Sequence, residues 1–173
     1  MLALLTAAVL TATFQPYHPG ADAVTHVPER VPVGARASVM SLPVGGRTAV
    51  VLLVTGLRPG SHYGAHVHVR PCGPRPADSG PHFQHVPDPV QPSVDPAYAN
   101  PRNEVWLDLT TDAAGTGIAS SVVDWTFADR PAASVVLHEH HTQVGGSAAR
   151  GWPASDSADT PRGPPSLYKR RRR

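Results

Sequence analysis

A single cysteine, Cys72, means that no disulfide can close within this chain of 173 residues. Aromatic residues are scarce at 6%, and no segment sustains a helical period, which argues against a helical bundle. The apolar run 2–14 is too short to cross a bilayer, so no stable membrane span is expected. Net charge is also small, +2, but it conceals a basic end, Lys169-Arg170-Arg171-Arg172-Arg173, without which the remainder would stand at −3. That run has no aromatic interleaving and no binding motif around it. It reads as a solvated tail, and no nucleic-acid partner is assigned to it.

What is abundant is turn chemistry: 20 prolines and 15 glycines favour short strands joined by turns and long loops. Alternating or apolar runs at 36–42, 47–55, 63–69, 104–111, 118–123 and 134–140 read as strands of an all-β meander or Greek key. Between them, 71–102 carries nine prolines with almost no periodicity, and an unstructured stretch of that length in a small domain is usually a functional loop. It holds His82, His85, Asp88 and Asp95. The run 2–14 resembles the apolar part of a secretory signal, although no Lys or Arg precedes it, and a buried first strand is the alternative. The expected division is a leader at 1–20, one domain at 21–146 and a disordered tail at 147–173.

Chemistry enters with His66-Val67-His68. On a strand these two histidines project from one face while Ala65, Val67 and Val69 fill the other, so the pair forms a two-pronged clamp. His82, in Gly80-Pro81-His82-Phe83, and His138, in Val135-Val136-Leu137-His138-Glu139, come from separate elements and would complete a four-nitrogen site suited to copper. His138 would share its strand face with Val136, placing that valine beside the metal. A lone histidine pair of this spacing is more often a surface feature, but three elements in this order reverse the odds. His140 and His141 read as solvent-facing, with at most an adventitious site between them.

Gly56-Leu57-Arg58-Pro59-Gly60, the His66/His68 strand, Cys72, the His82 segment, Thr110-Thr111-Asp112-Ala113-Ala114-Gly115 and the His138 strand together resemble the copper/zinc superoxide dismutase family, most nearly its exported, high-GC bacterial branch. The resemblance runs from about Val50 to His141. It implies a flattened Greek-key β-barrel or sandwich with the metal outside the barrel wall beneath long loops. It further implies copper ligation by His66, His68, His82 and His138, with superoxide disproportionated to oxygen and hydrogen peroxide. In the family the residue matching His82 bridges copper and zinc and carries a proton.

The chain departs from that pattern in two places. The loop after His82 offers only His85, with Asp88 and Asp95, where the family has two further histidines and an aspartate. A copper-only site is therefore expected, with zinc possible at a degenerate His85/Asp site. The family also closes a disulfide from the position of Cys72 to an Arg-Leu-Ala-Cys strand, whose arginine docks superoxide; Arg150 is the nearest match, in the wrong surroundings. Codons for Arg-Gly-Trp-Pro-Ala-Ser, read one base earlier, can spell Arg-Leu-Ala-Cys-Leu, so a frameshift near Arg150 is our reading of the tail. The functions to weigh are an exported superoxide dismutase, a non-catalytic copper-binding β-sandwich, and the inactive product of a frameshifted gene. Sequence leaves the oligomeric state open.

Overall fold

The computed structural model describes residues 7–128 and 130–142 and the backbone at 166–167. Its strands are β1 (Ala8–Gln15), β2 (Ala23–Val24), β3 (Arg36–Val44), β4 (Arg47–Thr55), β5 (His62–His68), β6 (Leu109–Thr110), β7 (Gly117–Val123), β8 (Ser134–His138) and β9 (Ser166–Leu167), with one 3-10 turn at Pro76–Ser79. They form a sheet in the order β6-β5-β8-β9-β2-β1-β3-β4-β7. The two ends of that order, β6 and β7, lie against each other. The sheet thus curls round a single core, and the all-β expectation holds.

Strand β4 alternates strictly: Thr48, Val50, Leu52 and Val54 are buried, while their neighbours are partly or fully exposed. It joins β3 through Gly45-Gly46, both at positive φ (56° and 80°), the two-residue turn whose twist matches a β-hairpin. The inward side chains of this half meet Tyr63, Ala65, Val67, Val135 and Leu137 from β5 and β8 in one apolar cluster.

One expected strand is shorter than its alternation, and two segments placed outside the domain carry strand residues. Segment 104–111 forms a ladder only at Leu109–Thr110, because its pairing is divided: Glu104 bridges to Gln84 and Trp106 to His66. Its alternation survives nonetheless, with Val105, Leu107 and Leu109 in the core. Of the run expected as a leader, Ala8–Gln15 is strand β1, paired with β3 from Ala8↔Ser41 to Thr13↔Arg36, and it buries Phe14 completely. In the tail expected to be disordered, Ser166–Leu167 pairs with both β2 and β8, satisfying backbone groups that those strands would otherwise leave open.

Candidate metal centre

β5 places Ala65 and Val67 in the core and, by its period of two, His66 and His68 on the opposite face, where they are only 4% and 5% exposed. Register with β8 sets His66 against Val136, His68 against Ser134 and His138 against Gly64, so His138 and a fully buried Val136 share the histidine face. The fourth ring comes from the loop. Phe83 donates its N–H to the Val67 carbonyl and sinks its ring into the core, which turns His82 back onto His66 and His68.

The four imidazoles converge. His82 stacks on His66 with centroids 4.0 Å apart and meets His68 at 4.9 Å, while His138 lies 5.0 Å from His66 and 5.5 Å from His68. Nitrogens of His66, His82 and His138 all fall within 4.8 Å of one another, and Nε2 of His68 is 3.4 Å from Nε2 of His138. Among the described residues this is the only group of three or more such side chains so placed.

Hydrogen bonds decide which nitrogen of each ring is left to bind. Nδ1 of His68 is 2.7 Å from the Gly80 carbonyl, which can only accept, so Nδ1 is protonated and Nε2 carries the lone pair. Nδ1 of His82 is 2.9 Å from the Glu104 carboxylate, which fixes the same tautomer. His66 is held the other way round. The Thr142 hydroxyl donates to Asp108 at 2.6 Å and lies 2.7 Å from Nε2 of His66, so it accepts the Nε2 proton and leaves Nδ1 as the lone-pair atom. That Nδ1 is buried and, among the described residues, has no hydrogen-bond partner.

Burial, reinforced by the neighbouring imidazoles, lowers the pKa of His66 and His68 well below the usual value, and burial followed by His82 lowers that of His138 to about 3. All three are thus neutral and able to ligate near neutral pH. For Glu104, burial alone would raise the pKa, but hydrogen bonds from His82, Trp106 and Gln84, with the charge of His82, outweigh it and hold the carboxylate ionised. Nitrogen-rich, neutral and with an orphaned donor atom at its centre, the cluster fits a borderline metal such as copper.

Glu104, Trp106, Asp108 and Thr142 all escaped the sequence reading. Glu104 is 2% exposed and receives Nδ1–H of His82, Nε1–H of Trp106 at 2.8 Å and Nε2–H of Gln84 at 2.8 Å. The signal that could have found these residues is the alternation along 104–109, which puts 104, 106 and 108 on the face opposite the core. Gly64 gives the supporting segment room: a Cβ there would lie 2.5 Å from the His140 carbonyl oxygen, just before Thr142.

His85 is not brought to the cluster. Its exposed ring lies flat on Trp125, 5.2 Å between centroids, because the loop is pinned by Asn103 and Arg130, whose guanidinium donates to the His85 carbonyl. Asp88 instead accepts from Val90 N–H and the Ser93 hydroxyl, and Asp95 from Ala97 N–H, so these donors are spent on shaping the loop. Arg150 lies outside the described residues.

No protein-family model matches the sequence, and neither does any curated protein. The structure aligns over 94% of its length with 97% of the Cu/Zn superoxide dismutase from Brucella abortus, at 16% identity and a TM-score of 0.53. The fold is that of the copper/zinc superoxide dismutases. A double mutant of a SOD-like protein from Bacillus subtilis also aligns, at 15% identity and a TM-score of 0.47, over 75% of this chain and 84% of that one.

On this dismutase-type barrel, the Thr142 hydroxyl is predicted to matter out of proportion to its size. Thr142→Val removes the acceptor for His66 and a donor to Asp108. Loss of such a partner typically lowers metal affinity about 10–100-fold. Competitive copper titration of the variant measures it, and Thr142→Ser should restore the affinity.

Proposed function

We propose that the chain is an exported, copper-dependent superoxide dismutase whose centre holds one metal rather than two. The observation that carries this is the set of tautomers fixed by Gly80, Glu104 and Thr142, which reserves Nε2 of His68, Nε2 of His82 and Nδ1 of His66 for a metal. His138 supplies the fourth nitrogen. Copper bound there would supply one-electron redox chemistry, by which one superoxide is oxidised to oxygen and another is reduced, with two protons, to hydrogen peroxide.

The chain's own residues do the rest. His66 and His68 are buried, whereas His82 and His138 are partly exposed, so small anions approach from the His82/His138 side. His82 can hold a proton at Nε2 when that nitrogen is not ligating, while Glu104 keeps its Nδ1 protonated throughout. The Glu104 carboxylate stands where His82 would otherwise present Nδ1 to a second metal, which supports the copper-only reading. Anion docking by Arg150 and export belong to the same proposal.

The test is copper content and superoxide disproportionation of the full chain reconstituted with copper, beside His82→Ala. We expect about one tightly held copper per chain and a loss of turnover in the variant of about 10²–10⁴-fold, the usual contribution of a positioned proton carrier. Copper held without turnover in the parent chain would replace the dismutase reading with a copper-binding module. Failure to hold copper at all would reject both.

A further inference from the structure

Two histidines that the buried cluster does not use also meet. His62 opens β5 and His141 follows β8; both are exposed, and their rings contact edge to face with centroids 4.8 Å apart. Thr110 on β6 ties them together, its hydroxyl 2.8 Å from Nδ1 of His62 and 3.4 Å from Nε2 of His141.

Nε2 of His141 is also 2.9 Å from the Leu109 carbonyl, which only accepts, so that nitrogen is protonated and Nδ1 keeps the lone pair. A hydroxyl oxygen has two lone pairs and accepts Nδ1–H of His62 in one of that ring's two tautomers, which frees Nε2 of His62 as a second donor. Among the described residues neither ring is ion-paired to a carboxylate. In that tautomer each imidazole is held from behind by β6 and has one nitrogen to spare.

We propose that His62 and His141 form a second, exposed site for a borderline divalent cation such as Cu(II) or Zn(II), with water completing its shell. The site is independent of the buried cluster and does not rest on the dismutase reading. Arg30, Arg58 and Glu139 line the cleft beside His62, and two guanidinium charges against one carboxylate make this the weaker of the two sites. Its position matters because Thr142, which orients His66, is the next residue after His141. A cation held here sits on the segment that orders a buried ligand.

The experiment is titration of the full chain with Cu(II), read by calorimetry and electron paramagnetic resonance. The expected result is a tight equivalent followed by a weaker one with its own spectrum. His62→Ala and His141→Ala, tested separately, should each lose the weaker equivalent and retain the tight one, whereas His140→Ala should keep both. His62→Gln, whose amide can still bond Thr110, should behave like His62→Ala and guards against a folding artefact.

The joint replacement His66→Ala with His68→Ala should remove the tight equivalent and spare the weaker, which separates failure at one site from failure at the other. A weaker equivalent that survives both His62→Ala and His141→Ala, or a parent chain that binds no second equivalent, overturns the proposal.

Discussion

Glu104→Ala is expected to lower the melting temperature by about 6–20 °C. One carboxylate, almost completely buried, accepts from His82, Trp106 and Gln84, and its removal strands three donors inside the protein. Each donor left unpaired in the interior costs about 1–3 kcal/mol, so these three, two of them partly exposed, cost about 3–5 kcal/mol together, and in a chain of this size each kcal/mol corresponds to about 2–4 °C. Glu104→Gln keeps the shape and one acceptor oxygen but turns an amide N–H₂ toward a donor, so its fall should be smaller. Both variants should also bind copper more weakly, since His82 is then free to present either nitrogen. Thermal unfolding with and without copper provides the measurement; a melting point for Glu104→Ala within about 2 °C of the parent would refute this account.

A second large effect concerns acid. His66, His68 and His138 are all depressed from an ordinary value of 6.5, so the folded, metal-free chain resists protons that the unfolded chain accepts. Their contribution is complete above about pH 6.5 and is lost as pH falls toward the folded values, which for His138 means down to about 3. Each group removes at most about 1.4 kcal/mol per pH unit in that window. Between pH 7 and 5 the loss at His138 is about 2 kcal/mol, and His66 and His68 add to it in the same direction, against a stability of about 5–15 kcal/mol for many domains.

His26, lowered by burial against an opposing effect of Asp78, acts in the same direction. Glu104 adds a further loss only below its ordinary 4.5, because its pKa too is depressed. Urea unfolding of the metal-free chain across this range should show the midpoint falling steeply, and copper-loaded protein should hold its midpoint to lower pH. A flat profile from pH 7 to 5 would show that these imidazoles are not neutral in the fold.

Much of the frame was legible because its physics is local. β4 has the bounds its alternation predicts, and the His66/His68 spacing on β5 fixes which face each ring takes. The place of Val136 beside the histidines followed from parity alone. What stayed hidden depends on contacts between distant segments.

Glu104 looked like an ordinary strand residue, and only the return of the loop at Gln84 gives its carboxylate three donors. Thr142 acquires its role from the bend after β8, which Gly64 admits. His85 resembled a ligand by nearness to His82, but Trp125, some forty residues away, supplies a flat surface for its ring. The apolar run 2–14 illustrates a different limit: low charge and branched side chains suit both a signal and a strand, and pairing with β3 is invisible to composition.

Phe83, one residue beyond His82, stacks on Trp125 and meets Phe127 at 4.9 Å, with the Arg130 guanidinium 4.7 Å above its ring. The proline-rich loop is therefore nailed to the barrel by an aromatic anchor adjoining the histidine it carries. Conformational entropy of that loop is surrendered when the barrel forms, not when a cation arrives. Metal uptake then resembles filling a preformed socket, with a small heat-capacity change and little rearrangement of the backbone.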